Sequence, residues 1–360
     1  MDKVSRSQDS RIVAAGIDAA KSTFSVCGVD RARSIVLERT MNRARLLALF
    51  ANSAPCVIGL EACSGAHQLA RELTALGHTV RIIAAKFVAP HRTSGKNDRN
   101  DARAIVDALL HPRTRFVPIK SVEQQALLSL QRARQGYVCE RTALVNRIRG
   151  LLAEFGITLP KSVDRLRKLG PAAADALPPL AREVIAELQA HLRVLDERIA
   201  HFDRQQRMLV RQSEPAQRLD EILGVGPVTA LSTVATIGNG AEFKNGRQFT
   251  AWMGLVPRQW TTGGKVRLGH ITKTGEAYLR TLYVQAAKAA LTSAHRRRDR
   301  LSRWRLPCGR GAATAKLSSR SPRSLLALPG RCSAKVTASV LKALEPQSRH
   351  KARARAPQQL

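Results

Sequence analysis

The fold of this chain is set by the stretch Ile12-Val13-Ala14-Ala15-Gly16-Ile17-Asp18. An apolar run of this length that ends at a charged residue is typical of a buried β-strand. Two more strand-like runs follow at 24–29 and 34–38, with a turn at 30–33 between them. Three short strands joined by tight turns predict an antiparallel meander.

Strand and helix patterns alternate after this meander. The order is a helix at 43–52, a strand at 56–60, a helix at 66–76, a strand at 80–83, a helix at 101–110 and a last strand at 116–119. A meander followed by alternating helices and strands is the order of a ribonuclease-H-like α/β fold, in which the first strand is central. We therefore expect acids at the ends of neighbouring strands to converge.

The middle of the chain is predicted to be helical. Apolar residues recur at heptad spacing at Ile185, Leu188, Leu192, Leu195, Ile199 and Phe202, and Gln206 interrupts the pattern before Leu209. This spacing fits an antiparallel hairpin or an intermolecular coiled coil, and an ordinary amphipathic bundle helix explains it equally well.

A second compact domain is predicted after this linker. The segment 219–227 carries a Gly-x-Gly step, Gly224 and Gly226, between two helix patterns. Such a helix-hairpin-helix can hold a DNA phosphate through backbone N–H groups, whereas a plain glycine turn needs no ligand. From about Arg305 onward the residues Ser, Arg, Ala, Gly and Pro dominate, and Glu345 is the only acid, which predicts a mostly disordered basic tail.

These patterns give a fold class of α/β plus α in five segments. We expect a disordered start at 1–10, a ribonuclease-H-like domain at 11–120, a helical and coiled-coil linker at 121–212, a mainly helical C-terminal domain at 217–304 and the basic tail at 305–360. The change of character near residue 305 is abrupt. We interpret it as translation of a GC-rich gene in a shifted frame, a hypothesis that the gene sequence would test.

The composition favours a nucleic acid as the partner. The 360 residues include 60 Lys and Arg against 27 Asp and Glu, a formal charge of +33. Neutralising phosphates releases counterions and drives binding, and a cationic membrane-surface or ribosome-associated protein is the alternative. Apolar residues make up 44%, enough for a folded core. Aromatic residues make up only 4%, so base stacking is not expected to be the main binding device.

Other features predict a cytoplasmic protein that does not bind membranes. The N-terminus opens polar, without the apolar segment of a signal peptide, and no apolar run approaches the length of a membrane span. The six cysteines form no C-x-x-C pair, which predicts reduced thiols.

Four acids stand where a metal site would form. Asp18 and Glu61 each close an apolar strand-like run, and Asp98 and Asp101 lie three apart at a helix start. Carboxylate oxygens are the ligands of hard divalent cations, and paired metals suit phosphodiester chemistry. Each acid alone also has a structural explanation, because Asp98 could be an N-cap and Asp101 could interact with the helix dipole. The four together favour Mg²⁺ binding, with Mn²⁺ as the alternative ion.

Several motifs resemble one known family. They lie at 16–24, 59–63, 96–102, 141–152, 255–259, 263–265, 271–275 and 279–280. Together they resemble the DEDD transposases of bacterial insertion sequences, in the IS110 family and its IS1111-like subgroup, over roughly residues 11–304. The occurrence of both domains of the family in order is a specific signal.

The resemblance implies a RuvC-like nuclease domain in which Asp18, Glu61, Asp98 and Asp101 bind Mg²⁺. It implies excision and insertion of a mobile element by DNA strand exchange, guided by a non-coding bridge RNA that pairs with target and donor DNA. It also implies a homo-oligomer, a dimer or a tetramer, in which the acidic site of one subunit meets the C-terminal domain of another. Such a protein is expected at the bacterial nucleoid.

The family links DNA to a serine of its C-terminal domain, and this chain departs from that pattern. The matching stretch is Trp260-Thr261-Thr262-Gly263-Gly264, which holds no serine. A threonine hydroxyl has the same chemistry, but its extra methyl group restricts the rotamer. Thr262 is the preferred substitute and Thr261 is the other candidate. The alternative is that both are ordinary loop residues and that this copy is impaired.

Further residues are predicted to contact nucleic acid. They are Lys21, Arg132, Arg134, Arg147, Arg149, Gly224, Gly226, Lys265 and Lys273. Three functions stay open at this point. They are an RNA-guided, Mg²⁺-dependent DNA transposase, a RuvC-like endonuclease that hydrolyses DNA without a covalent link, and an inactive transposase remnant that only binds nucleic acid.

Overall fold

The computed structural model describes residues 12–93, 95, 97–293, 340 and 343–344. The chain divides into two compact units, residues 1–121 and 122–360. Within the described part, no helix combines the length and the apolar character needed to cross a membrane. The predicted N-terminal segment 1–10 and most of the predicted tail 305–360 lie outside the described residues.

The first unit is a mixed sheet covered by helices. Its strands are β1 (Ala14–Ala19), β2 (Thr23–Val29), β3 (Ile35–Asn42), β4 (Val57–Glu61), β5 (Thr79–Ile83) and β6 (Phe116–Val117). Its helices are α1 (Arg43–Ala51), α2 (Ala66–Ala75), α3 (Ala85–Val88) and α4 (Asp98–Leu110), and a 3₁₀ turn spans Ala89–His91.

The strands lie in the order β3-β2-β1-β4-β5-β6. The strands β1, β2 and β3 pair antiparallel, β4 and β5 continue parallel from β1, and β6 pairs antiparallel with β5. The predicted α/β class, the meander and the interior position of the first strand are therefore confirmed. The helix α4 begins earlier than predicted, and α3 with its 3₁₀ turn was not predicted.

Both faces of the sheet are buried, which explains why β1 is a continuous apolar run. On one face Ile17 packs in a cluster with residues of α1 and α2. On the other face Ala14 packs in a cluster with residues of α4. Successive residues of a strand point to opposite faces, so Gly16 and Asp18 face α4 as Ala14 does.

Two glycines let α4 lie directly on the sheet. Gly16 of β1 and Gly59 of β4 are neighbours in the parallel register. A Cβ atom on Gly16 would lie 2.4 Å from the carbonyl oxygen of Ala102, and one on Gly59 would lie 3.1 Å from Ile105 Cγ2. The helix backbone therefore occupies the space that a side chain at Gly16 would need.

The second unit begins with a long helical hairpin. Its helices are α5 (Val122–Glu154), α6 (Val163–Asp175) and α7 (Pro179–Gln212). The ion pairs Arg134–Asp203 and Arg141–Asp196, at 2.6 and 3.2 Å, join α5 and α7 in antiparallel orientation. In the predicted apolar seam of α7, Ile185, Leu192 and Leu195 are buried against α5 and α6. The seam therefore packs within the chain, and assembly of copies through a coiled coil stays a prediction.

Two buried glutamines interrupt this hairpin. Gln131 of α5 and Gln206 of α7 are both buried. The ion pair Arg134–Asp203 lies three residues away on each helix, which places the glutamines at the same level of the hairpin. Their side-chain amides have no hydrogen-bond partner among the described residues. Such a polar layer costs stability and penalises sliding of one helix along the other.

Shorter elements follow the hairpin. They are α8 (Glu214–Asp220), α9 (Pro227–Ile237), α10 (Gly246–Trp252), β7 (Pro257–Thr262), β8 (Lys265–Ile271) and α11 (Ala277–Ser293). The strands β7 and β8 form an antiparallel two-stranded ribbon, which the prediction of a mainly helical domain did not include. Its sequence signal is a Gly-Gly step between two short runs with Thr and Val.

The predicted Gly-x-Gly step lies between α8 and α9. Gly224 has a φ of 87°, and a Cβ atom there would lie 2.1 Å from the carbonyl oxygen of Ala286 on α11. Close packing with α11 therefore explains Gly224 without a ligand. Gly226 faces open space at the start of α9, where phosphate binding stays a prediction.

Part of the predicted basic tail packs in the second unit. Val340 and Leu344 are buried in the same apolar cluster as Phe249 and Tyr283. Residues 340, 343 and 344 are helical, so they are an ordered exception in a tail predicted to be mostly disordered. These three positions have the spacing of one helix face, a pattern too short to recognise within a basic and irregular sequence.

We expect Gly16→Ala to destabilise the first unit by about 3 kcal/mol, because the added methyl group meets rigid helix backbone. Hydrogen exchange of the β1 amides should report this loss. Gly136→Ala in α5 is the control, since a Cβ atom there meets nothing within 4 Å. It should raise stability by about 0.5–1 kcal/mol. Unchanged exchange of β1 in Gly16→Ala would contradict the close approach of α4.

Candidate active site

Asp18 and Glu61 lie side by side on the sheet. The strands β1 and β4 are parallel with Ile17 beside Leu60, so the next residue on each strand is an acid. Both acids alternate with the glycines that touch α4, so their side chains point towards the α4 face. Two neighbouring strand ends therefore deliver two carboxylates to the same side of the sheet.

The helix α4 brings two more acids to this side. Asn97 is its N-cap, and the Asn97 side chain accepts a hydrogen bond from the Asn100 N–H at 2.8 Å. Asp98 and Asp101 occupy the first turn, so the alternative in which Asp98 caps the helix is wrong. Asp101 is only 5% exposed, an uncommon degree of burial for a carboxylate.

The four carboxylates share one electrostatic environment. Burial raises the pKa of Asp18 above its usual value. The negative charges of Asp101, Asp98 and Glu61 raise this pKa further, in that order. Repulsion of this kind requires the side chains to be near one another, so the fold gathers acids from three separate segments.

One guanidinium group lies among these acids. Arg92 Nε is 2.6 Å from Asp101 Oδ1, and Arg92 Nη2 donates a hydrogen bond to Glu61 Oε2 at 3.4 Å. Its positive charge offsets part of the rise in the pKa of Asp18. The contact with Asp101 is an ion pair without hydrogen-bond geometry, so Arg92 Nε and Asp101 Oδ1 lack a hydrogen-bond partner among the described residues.

Arg92 is the residue of this site that the sequence did not reveal. It follows the 3₁₀ turn after α3, and its backbone N–H donates to the carbonyl oxygen of Ala89. One arginine in a chain with 60 Lys and Arg forms no recognisable pattern. The only available signal is physical, because acids gathered in a half-buried place need a counter-charge.

The acids around Asp18 suit a divalent cation by their chemistry, although they do not form a closed metal site. Among the described residues, no three His, Cys, Asp or Glu side chains lie close enough to hold one metal ion. The donors are carboxylates, which Mg²⁺ and Mn²⁺ prefer, and Asp101 Oδ1 is buried without a hydrogen bond. Arg92 supplies one positive charge where a divalent cation would supply two. Metal binding by the four acids therefore stays a prediction.

A polar groove borders the acid cluster. It measures about 570 Å³ and is lined by Glu38, Thr40, Asn97, Asp98, Arg99, Asn100 and Arg103. Within it, Arg103 Nε lies 2.6 Å from Glu38 Oε1, and this hydrogen-bonded pair lowers the pKa of Glu38. Amide, hydroxyl and guanidinium groups beside a carboxylate suit a phosphate-bearing strand.

The second candidate centre is the tip of the β7–β8 ribbon. Thr262 pairs with Lys265, and Gly263 and Gly264 between them have φ values of 56° and 77°. Positive φ at both central residues is the geometry of a type I′ hairpin turn, which glycine adopts without strain. Thr262 therefore lies at the end of a regular strand rather than in an irregular loop.

Thr261 and Thr262 point to opposite faces of this ribbon. The face of Thr262, which we call the basic face, also carries Trp260, Lys265 and Arg267. The face of Thr261, which we call the opposite face, also carries Gln259, Val266 and Leu268. On that side the Gln259 amide donates a hydrogen bond to Thr261 Oγ1 at 3.2 Å. The two hydroxyl groups thus have different surroundings, one cationic and one largely apolar.

The other predicted nucleic-acid contacts fall into two groups, exposed side chains and side chains that bind other parts of the protein. The exposed ones are Lys21, Arg132, Arg147, Lys265 and Lys273. Arg149 instead donates to the carbonyl oxygens of Pro160 and Ser162, at 2.7 and 3.0 Å, and so holds the loop after α5. Arg134 is engaged by Asp203. For these two arginines the structure gives a role in holding the helical hairpin.

Two regions of the chain match known families. Residues 15–157 match a family of DEDD transposases of the IS110 type, and residues 216–302 match the family described as "Transposase IS116/IS110/IS902 family". The first region contains the four acids, and the second contains the β7–β8 ribbon.

Several known proteins are similar to most of the chain. A "Probable family 20 transposase" of Pseudomonas aeruginosa is 43% identical over 294 residues, which cover 80% of this chain and 87% of the relative. The "Transposase for insertion sequence element IS1111A" of Coxiella burnetii is 36% identical over 293 residues, 80% of each chain. The "Transposase for insertion sequence element IS1328" of Yersinia enterocolitica is 35% identical over 290 residues, 80% of this chain and 87% of the relative.

Replacing Arg92 by Gln should destabilise the first unit by about 1–3 kcal/mol, because Asp101 loses its counter-charge while it stays buried. Mg²⁺ should restore most of this loss, since a bound cation would replace the missing charge. Differential scanning calorimetry in EDTA and in Mg²⁺ measures both effects.

Arg43→Gln is the matched control for this experiment. It removes an ion pair with Glu72 in the same unit, so it should cost less than about 1 kcal/mol and respond to Mg²⁺ as the unmodified protein does. An Arg92→Gln protein as stable in EDTA as the unmodified one would show that Arg92 is not the counter-charge of this site.

Proposed function

Because the chain belongs to the IS116/IS110/IS902 family of insertion-sequence transposases, we propose that it cleaves and exchanges DNA strands to move such an element, in a Mg²⁺-dependent and RNA-guided reaction. The observation that supports this most is the gathering of Glu61, Asp98 and Asp101 around Asp18 beside an open polar groove. Carboxylates in this arrangement suit metal-assisted phosphodiester chemistry. We assign the nuclease domain to residues 11–120 and the domain with the nucleophile to residues 217–304.

The acids and Arg92 have distinct roles in this proposal. Asp18, Glu61, Asp98 and Asp101 would hold Mg²⁺, and the ion would supply the positive charge that polarises a scissile phosphate. Arg92 balances Glu61 and Asp101 and keeps the carboxylates together before a cation binds. Thr40 and Arg99, in the groove beside Asp98, position the DNA backbone through hydrogen bonds to phosphate oxygens.

Thr262 is the proposed nucleophile. Its hydroxyl oxygen attacks the phosphorus, a Thr–O–P bond forms, and the P–O bond to the leaving strand breaks. The hydroxyl proton passes to water, and the leaving oxygen keeps the bonding electron pair and takes a proton from water. A hydroxyl group at a strand end then attacks the same phosphorus, which rejoins the DNA and frees the threonine.

The choice of Thr262 over Thr261 is supported by the two faces of the ribbon. Lys265 and Arg267 accompany Thr262 and can bind the phosphate that it attacks. Thr261 lies on the opposite face beside Val266, whereas Lys265 and Arg267 lie on the basic face.

RNA guidance is supported by the composition of the chain. With a charge of +33 and few aromatic residues, the protein is suited to hold nucleic-acid backbones without reading bases. A guide RNA that pairs with target and donor DNA would supply the sequence specificity. We further propose a dimer or tetramer in which the acids of one copy meet the ribbon of another.

A hydrolytic endonuclease is the second candidate function. The observation that favours it is the threonine at position 262. Its methyl group restricts the side-chain rotamer and crowds the path by which the hydroxyl oxygen would attack the phosphorus. Water would then be the nucleophile, and no link between DNA and protein would form.

Asp18→Asn should lower DNA cleavage more than about 100-fold, because it removes a proposed metal ligand. Stability and DNA binding should be nearly unchanged, since a neutral amide avoids both the burial of a charge and the repulsion that together raise the pKa of Asp18. Cleavage of a labelled element end and a gel-shift assay measure these properties. Asp30→Asn, in the turn between β2 and β3, is the control and should cleave normally. Full activity of Asp18→Asn would refute the metal assignment.

Thr262→Ala should abolish a covalent DNA–protein adduct, and Thr261→Ala should retain it, because only Thr262 lies on the basic face. Thr262→Ser should form the adduct at least as fast, since it keeps the hydroxyl group and loses the methyl group. Labelled DNA retained on denaturing gels, with mass spectrometry of the linked peptide, measures the outcome. Cleavage without any adduct supports hydrolysis instead, and an adduct on Thr261 reverses the choice of threonine.

A further inference from the structure

An exposed indole lies on the basic face of the ribbon. Trp260 is 55% exposed, and its ring lies against Gly269. A Cβ atom on Gly269 would be 2.4 Å from Trp260 Cζ3 and 2.6 Å from Cη2, so the ring occupies the space that any other residue would fill. One side of the indole is therefore held along the ribbon while the other side stays open.

Cationic side chains accompany this indole. Arg267 is the cross-strand partner of Trp260, and Lys265 is the partner of Thr262. The sequence at 255–275 contains no acid, and no carboxylate of the described residues forms an ion pair with Arg267 or Lys265. Free cations beside an open aromatic ring match a nucleic-acid strand, whose phosphates bind the cations while a base stacks on the ring.

The opposite face of the ribbon has a different character. Val266 and Leu268 are 56% and 65% exposed there, and neither Lys265 nor Arg267 accompanies them. Exposed apolar side chains suit contact with protein, whereas a face with two cations and no acid suits a polyanion. Charge complementarity thus assigns the nucleic acid to the basic face alone.

We propose that Trp260 stacks on an unpaired base of the cleaved DNA strand, next to the phosphate that Lys265 and Arg267 bind. The inference rests on the proposed function, because Thr262 lies on the same face two residues away, about 6.6 Å along the strand. The indole can reach the face of a base only when that base has left the double helix, so the site takes single-stranded or locally opened DNA. Stacking accepts any base, so Trp260 is a positioning residue and does not read sequence.

Intrinsic fluorescence of the full-length protein tests this placement in EDTA, where metal-dependent cleavage does not occur. Single-stranded oligothymidine should quench the emission, because a base stacks on Trp260. Trp260→Phe should remove most of the quenching while it keeps an aromatic ring for binding. Trp252→Phe is the control at a tryptophan that stacks on Phe249 outside the ribbon, and it should keep the quenching.

Binding measurements on the unmodified protein and three variants separate the contribution of stacking from that of charge. Trp260→Ala should weaken the Kd for single-stranded DNA about tenfold and that for the matching duplex less than about twofold. Gly269→Val should cause a similar loss although it keeps the indole and every charge, because its side chain displaces the ring. Leu268→Ala on the opposite face is the matched control and should bind as the unmodified protein does.

Three outcomes would overturn the proposal. They are unchanged single-strand affinity in Trp260→Ala, a loss in Leu268→Ala as large as that in Trp260→Ala, and a loss that affects RNA but not DNA of the same sequence. The second outcome would indicate that the ribbon docks on protein.

This test is separable from the test of the nucleophile. Loss of the adduct in Thr262→Ala, together with weakened single-strand binding in Trp260→Ala, supports both roles. A hydrolytic enzyme without an adduct, whose single-strand binding still depends on Trp260, supports stacking and refutes only the covalent step. If Trp260→Ala forms the adduct at Thr262 normally and its affinity for single-stranded DNA is unaltered, only the stacking proposal is refuted.

Discussion

The contact between α4 and the glycine pair Gly16 and Gly59 is the constraint on which the first unit depends. At Gly16 the carbonyl oxygen of Ala102 lies only 2.4 Å from the position of a Cβ atom, so any side chain would push the helix outwards. This approach sets the position of α4 above the two strands that end in Asp18 and Glu61. The first turn of the helix then meets these strand ends, and its acids join theirs. If α4 were shifted along its axis by one helical turn, its acids would move by about 5.4 Å and would no longer lie beside Asp18 and Glu61.

Gathering four carboxylates in a half-buried place has an electrostatic cost. Burial first, and the neighbouring negative charges second, raise the pKa of Asp18. Arg92 offsets the cost through ion pairs with Asp101 and Glu61. Burial strengthens attraction and repulsion alike, because fewer water molecules screen the charges. A site built in this way keeps its acids together without a metal and retains negative charge that a divalent cation could neutralise.

The second unit shows that formal charge overstates the positive surface open to nucleic acid. Arg134 forms an ion pair with Asp203, and Arg149 donates hydrogen bonds to the carbonyl oxygens of Pro160 and Ser162. Both side chains therefore stabilise the helical hairpin. The ribbon differs because the period of two in its strands puts Arg267 on one face and Leu268 on the other. A small element thereby presents a cationic surface and an apolar surface back to back.

Local patterns were sufficient for most of the fold, and they pointed to the four acids, whose role as metal ligands stays a prediction. Strand and helix periods extend over a few residues, so β1 to β6 and α1, α2 and α4 followed from the sequence with shifts at their ends. Contacts between distant segments decided the rest. Arg92 joins the site only because the fold brings Glu61 and Asp101 to it, and Thr262 differs from Thr261 only through the pairing of β7 with β8. Val340 packs in a core made by helices far earlier in the chain. Such contacts produce no periodic pattern in the sequence, because their energy depends on where the folded backbone places each side chain.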